Sequence, residues 1–245
     1  IGSSAGANLT TANSTVFIGS NAGQAVTTEG SGTPPISDGS IGIGKSALSN
    51  LTSGTGNVAV GYNAGTSITT NTNCTFIGYQ AGMDADASNT SPVSCTYIGS
   101  RSGENIDDGA GGNTAVGYAA LFGATSNANT AANNVAVGVD ALFDVTSGGD
   151  NVGVGKSALE SITTGGSNVA VGSGAGDGWS TQSQNTVVGH DAASNSGAGN
   201  ITAVGYKALE DCSSDGAVAL GHSAGMNITS GAGNTAVGYQ ALMTE

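Results

Sequence analysis

An all-β fold, a parallel β-solenoid or β-roll of about fourteen coils, is what this sequence predicts, and three regularities carry the prediction. The first is a glycine that returns fourteen times, as Gly2, Gly19, Gly44, Gly61, Gly78, Gly99, Gly117, Gly138, Gly155, Gly172, Gly189, Gly205, Gly221 and Gly238. Seven of the thirteen intervals are 17 residues and none is shorter than 16. A period of this size, sustained along the chain, marks stacked coils. The second is the residue before each glycine, which is Ile, Val or Leu without exception, and the residue three before it, which is Val, Ile or Thr. The third is a run of turn-formers between these phrases, such as Ser-Gly-Thr-Gly-Asn at 53–57 and Ser-Gly-Gly-Asp-Asn at 147–151.

Residues are placed below by their offset from the repeated glycine, taken as column zero. Columns −3 and −1 lie two apart on a strand and share one face, which the pattern assigns to the interior of the coil. Column −2 then faces outward, yet it reads Phe17, Gly42, Ala59, Phe76, Tyr97, Ala115, Ala136, Gly153, Ala170, Val187, Ala203, Ala219 and Ala236. A strand apolar on both faces is covered on both. Phe17, Ala59, Phe76, Tyr97, Ala115, Ala136 and Val187 are therefore expected to meet sister chains at a subunit interface.

Column +3 is alanine in thirteen of fourteen places, with Ser102 the exception, which is a size limit at a sharp bend. Column +7 returns to the core with Leu9, Val26, Leu51, Ile68, Val145, Ile162, Trp179 and Ile228, among others, and Thr commonly follows (Thr52, Thr69, Thr146, Thr163). Each coil is thus expected to run strand, bend, second short strand, Gly-rich turn. Asn opens many coils at column −4 (Asn57, Asn113, Asn134, Asn151, Asn168, Asn185, Asn234), where a stacked Asn ladder is expected. The longer intervals fit if their extra residues fall in one turn, at 29–38 with Pro34 and Pro35, at 87–93 and at 127–132.

Composition narrows the function. Gly is 43 of 245 residues with 3 Pro and no Gly-X-Y period, which excludes collagen. The net charge of −13, with four Lys plus Arg, argues against nucleic acid and against an anionic membrane surface, because nothing replaces the counterions. No apolar run reaches the length of a membrane span. A start at Ile1 without Met leads to the expectation that residues 1–245 are a single repeat domain, a fragment of a longer fibrous protein.

All four basic residues fall just after the glycine: Lys45 and Lys156 in column +1, Arg101 and Lys207 in column +2. Column +1 also holds His190, His222, Tyr62, Tyr79, Tyr118, Tyr206 and Tyr239. This edge is either a solvated bend whose rings pack on the coil below, or a shallow recognition stripe, since Tyr joins apolar area to a hydrogen-bonding tip. No column supplies converging carboxylates, a nucleophile with its base, or metal ligands, so no enzyme, metal or cofactor is expected. The segment from Gly39 to Ser46 matches the phosphate-loop pattern only because Gly44, Lys45 and Ser46 are columns zero, one and two. His190 and Asp191 would point to opposite faces of a strand. Asp84 with Asp86, and Asp107 with Asp108, read as solvated turn residues rather than Ca²⁺ ligands. Cys74 and Cys95 share a column in successive coils. In-register side chains on parallel strands make poor bridge geometry, which favours thiols that are unbridged or paired between chains.

The phrase Asn-Thr-Ala-Val-Gly-Tyr-Gln-Ala-Leu at 234–242, with Asn-Val-Ala-Val-Gly at 57–61, resembles the head repeats of trimeric autotransporter adhesins and the related repeat arrays of phage tail fibres. The resemblance implies a homotrimer of left-handed parallel β-rolls around a common axis, although the adhesin repeat is shorter. It implies an extracellular structural and adhesive segment, in a virion fibre or on a bacterial surface, that meets a host glycan or protein receptor. A passive rigid spacer with binding at another tip is the alternative. An ice-binding solenoid using the Thr column is a third, weakened by the interruptions of that column.

Overall fold

The structure, a computed structural model, describes residues 1–9, 14–26, 39–85, 94–107, 111–124 and 129–244. The expected insertion turns at 29–38 and 87–93, residues 127 and 128 of that at 127–132, and Asp86 and Asp108 lie outside the described residues. The chain forms two compact units, Ile1–Thr130 and Ala131–Glu245. Every strand is three residues long and ends just before a column-zero glycine. The first unit holds β1 (Val16–Ile18), β2 (Ile41–Ile43), β3 (Val58–Val60), β4 (Thr75–Ile77), β5 (Thr96–Ile98) and β6 (Thr114–Val116). The second holds β7 (Val135–Val137), β8 (Val152–Val154), β9 (Val169–Val171), β10 (Thr186–Val188), β11 (Thr202–Val204), β12 (Val218–Leu220) and β13 (Thr235–Val237). Within each unit, consecutive strands pair in parallel and in register, column on column, as in Phe76 opposite Tyr97 and Gly153 opposite Ala170. The parallel β-solenoid follows.

Hydrogen bonding continues past the strand around the bend. The column-zero and column +2 N–H groups donate to the preceding coil, as in Gly61 N to Ile43 O at 2.8 Å and Asn63 N to Lys45 O at 3.0 Å. Columns +4 and +6 donate to the following coil, as in Gly65 N to Ala81 O at 2.9 Å and Ser67 N to Met83 O at 3.0 Å. Reversing the direction of donation requires residues at positive φ, and columns +2 and +4 supply them: Ser157 at 55° and Leu159 at 55°. The expected second strand after the bend is absent among the described residues apart from one isolated bridge, Asn227 with Thr244. Successive turns occupy that stretch instead.

The faces of the strand are the reverse of the expectation. Column −2 points into the coil: Ala59, Phe76, Tyr97, Ala115, Ala136 and Val187 are fully buried by their own chain, and Phe17 is half-buried. Columns −3 and −1 point out, leaving Val16, Ile18, Ile77, Ile98, Val169, Val171, Val188, Val218, Leu220 and Val237 exposed. The cause is the narrowness of the interior. A Cβ built on Gly153 would lie 3.1 Å from the Ala158 carbonyl oxygen across the coil, and one on Gly42 3.2 Å from that of Ala47. Side chains in column −2 are therefore small or flat in most coils, and Val187 is buried where column +4 is the small Ala193.

Column +4 supplies the space opposite, being Gly in some coils and Leu in others, with Ala193 the exception. Phe76 and Tyr97 face Gly82 and Gly103, whose absent Cβ atoms would collide with the rings. At Gly153 in column −2, Leu142 of the preceding coil fills the volume, its Cδ1 standing where a Gly153 Cβ would be, and Leu142 and Leu159 are both fully buried. Both leucines adopt left-handed φ, at a cost of about 1–2 kcal/mol. Burying a Leu returns about 1.5–3 kcal/mol, so the side chain prevails. Column +3 is buried in nearly every coil, and column +7 completes the core with Ile68, Ile106, Ile162 and Trp179.

Column −4 forms the expected Asn ladder, and it lies inside. The Oδ1 of Asn134, Asn151 and Asn168 accepts the backbone N–H of the next column −4 residue at 2.9–3.1 Å. Their Nδ2 groups donate to the carbonyls of Gly148, Gly165 and Gln182 at 2.8–3.0 Å. Each Asn thus satisfies two backbone groups, both buried for Asn134 and Asn151.

Candidate functional site

The column +1 side chains stand on the outer edge of the bend, between a glycine with φ near 140° and a left-handed residue at column +2. That backbone turns them away from the core. Tyr62, Tyr79, Tyr118, Tyr206 and Tyr239 are 41–72% exposed, and Lys45, Lys156, His190 and His222 are exposed with them. In-register coils bring the rings together. Tyr62 and Tyr79 stack with centroids 5.4 Å apart and planes 10° from parallel, and the Lys45 ammonium lies 5.6 Å from the Tyr62 ring. In the second unit His190, Tyr206, His222 and Tyr239 form a continuous row at centroid spacings of 5.6, 4.8 and 5.2 Å. Tyr118 has Ser100 and Val139 as its column neighbours in sequence, and Lys156 lies between Val139 and Ser173, so neither extends a row.

The stacking decides what this edge presents. Ring faces within a row are turned to one another, so the row offers solvent mainly edges, phenol hydroxyls and imidazole nitrogens. Lys207 reaches across its flank, 5.7 Å from the Tyr206 ring, 2.6 Å from Glu210 and 4.0 Å from Asp191. The hydrogen bond to Glu210 raises the Lys207 pKa. The arrangement suits polar, hydrogen-bonding recognition along a line more than a sugar laid flat on an aromatic face.

The residues expected at a subunit interface, Phe17, Ala59, Phe76, Tyr97, Ala115, Ala136 and Val187, belong to the chain's own core. The outward apolar surface is instead the β-branched pair of columns −3 and −1. Sequence reasoning missed it because both faces are apolar, although the change between Gly and Leu opposite column −2 was present to be read.

His190 and Asp191 do come together, Nδ1 to Oδ2 at 3.0 Å, against the expectation of opposite faces. They sit in the bend, where Asp191 has φ 52° and strand alternation does not apply. Ser223 Oγ lies 3.0 Å from His222 Nδ1, but the two pairs flank Tyr206 in separate coils and do not join into a relay. At the phosphate-loop look-alike, Gly44 N donates to Ile18 O and Ser46 N to Ser20 O, so these amides serve the stack. Thr52, Thr146 and Thr163 likewise donate their hydroxyls to carbonyls of the next coil at 3.0–3.1 Å.

Carboxylates crowd the next stretch of the bend. Burial, followed by repulsion from Glu160, raises the pKa of Asp140 and Asp144, and burial with repulsion from Asp191 does so for Asp177. Asp84 is raised by burial and then by Glu104 and Asp107. Among the described residues no group of three or more His, Cys, Asp or Glu is placed to hold a metal ion, and no helix is long and apolar enough to cross a membrane. No protein-family model, curated protein or solved structure matches the chain.

Proposed function

We propose that this chain is a structural and adhesive segment of an extracellular fibre that assembles as a homotrimer and meets a host surface. The observation that carries the reading is the outward face of the strands, whose columns −3 and −1 are mostly aliphatic, both exposed in β1, β9, β10, β12 and β13 and exposed or half-buried in the other strands. A monomer gains nothing from such a stripe. Each partly exposed Val or Ile offers about 1 kcal/mol on further burial, and a repeated row accumulates enough of these to offset the entropy of association. Sister chains are the natural cover, because the stripe repeats at the spacing of its own copies. The tyrosine and histidine rows would then lie along the outer edge, open to a glycan or protein receptor.

Sedimentation velocity tests the assembly. The chain is expected to sediment as a trimer, and the Val169→Lys/Val171→Lys variant as a folded monomer. A monomeric parent chain would overturn the reading. Retention of the labelled chain on host cells tests the adhesive half. Tyr206→Ala/Tyr239→Ala should lower it, and unchanged retention would favour the passive spacer. The mutual covering of ring faces is what favours the spacer as the second reading. The internally bonded threonine hydroxyls weigh against ice binding.

A further inference from the structure

We infer that Cys74 and Cys95 form an intrachain disulfide that closes while their two coils are folding. They occupy column −4 of adjacent coils, one residue before the register pair Thr75 and Thr96. Thr75 N donates to the Cys95 carbonyl at 2.8 Å, which fixes the two backbones side by side. In-register parallel neighbours lie about 4.8 Å apart, inside the roughly 4.4–6.8 Å Cα range of disulfides. The two sulfurs already face each other at 3.0 Å, inside the coil. Rotation of both side chains toward a bond of about 2.05 Å closes the remaining gap. In the structure both cysteines are unbridged, in line with the expectation, but the approach of the sulfurs removes the geometric objection to a bridge, and burial within one chain leaves no route to one between chains.

The position gives the bond a role. Column −4 is where asparagines tie coil to coil, and here the tie is interrupted: Asn57 Oδ1 accepts the Cys74 N–H at 3.0 Å, but a thiol has no amide to pass on. A covalent link between the same two positions restores the connection. It also closes a separation of 21 residues, which contains the longer interval at 87–93.

The chemistry is thiol–disulfide exchange with a small-molecule disulfide such as oxidised glutathione. The Cys74 thiolate attacks one sulfur of the oxidant and expels a thiolate, leaving a mixed disulfide. The Cys95 thiolate then attacks the Cys74 sulfur and expels the second. Two electrons pass to the oxidant, and the two cysteine protons end on the two released thiols. Both sulfurs are enclosed once the coils have packed, so the exchange belongs to folding rather than to the finished fold.

The test is to refold the chain from denaturant with oxidised and reduced glutathione, then alkylate under denaturing conditions. One alkylated cysteine per chain, Cys212, is expected, against three after reduction, with the oxidised mass lower by about 2 Da for the two hydrogens lost. Cleavage at Asp84 and Asp86 should leave the Cys74 and Cys95 peptides joined until reductant is added. Cys74→Ser should abolish both signatures. The doubly substituted Cys74→Asn/Cys95→Asn chain, which restores the ladder, should unfold at the same urea concentration with and without reductant, whereas the parent unfolds earlier when reduced. Three alkylated cysteines after oxidative refolding, a bond that includes Cys212, or a bond between chains would each overturn the assignment. None of these outcomes bears on the fibre reading.

Discussion

Replacing Asn151 by Ala tests the ladder at a position where the geometry is complete. The side chain does three things: Oδ1 accepts the Asn168 N–H at 3.1 Å, accepts Asn168 Nδ2 at 3.0 Å, and Nδ2 donates to Gly165 O at 2.9 Å. Asn168 Nδ2 keeps its bond to Gln182 O in the variant, and the Asn151 N–H keeps Asn134 Oδ1. Two buried backbone groups are therefore orphaned, the Asn168 N–H and the Gly165 carbonyl. Each costs about 1–3 kcal/mol when left unsatisfied, so Asn151→Ala should lose about 2–6 kcal/mol, a large share of a stability of about 5–15 kcal/mol. Trp179, the single tryptophan and fully buried in the same unit, reports unfolding through its emission. Urea titrations at fixed protein concentration give the difference. Asn195→Ala, which removes an exposed bond to Asp211 Oδ1, should cost under about 1 kcal/mol as the control. If Asn151→Ala costs no more than that control, the asparagines are decoration and the argument for the ladder is wrong.

Gly155→Ala should lose more than about 3 kcal/mol or fail to fold, because φ is 139° and the new Cβ would press on the Gly172 carbonyl. Gly199→Ala, whose nearest neighbour atom would lie 3.9 Å away, should stay within about 0.5 kcal/mol by the same titration. Phe76→Ala should cost about 3–5 kcal/mol and Gly82→Leu should clash with the Phe76 ring, whereas the double substitution removes that clash and should cost less than the sum. An additive double-mutant cycle would refute the pairing of columns −2 and +4. Acidification should stabilise the fold. Asp84, Asp140, Asp144 and Asp177 have folded pKa values raised above the unfolded reference of about 3.9. Their contribution is full below that reference and lost as pH rises through the folded values, so the urea midpoint should climb from pH 7 to about pH 4.5. Glu160→Gln should flatten that climb, and a midpoint that falls instead would reject it.

The coil boundaries, the parallel register, the alanine limit and the Asn ladder could all be read from the columns, because each recurs at a fixed offset wherever the same backbone contact recurs. The orientation of the strand could not be read from hydrophobicity, since Val58 and Ala59 are equally at home indoors. Girth decides it: a Cβ on Gly153 would already stand 3.1 Å from Ala158 O across the coil, and that distance is a property of the closed coil. The pairing of His190 with Asp191 was equally hidden, because a left-handed residue in the bend defeats the alternation of a strand. The ring rows were legible as a column, but the covering of their faces depends on the spacing of neighbouring coils.

Column −4 of the second unit holds Asn134, Asn151, Asn168 and Asn185 in unbroken succession, then Ile201 and Ala217, both buried and neither able to pass on a hydrogen bond through its side chain. Asn185 Oδ1 still accepts the Ile201 N–H at 2.9 Å, and there the side-chain wiring stops. A pulling force or a denaturant will find this seam before it finds the asparagine-tied coils, as a sheet of stamps tears along its perforation. The weakest junction of this unit is thus written by two residues, and moving them would move the fracture.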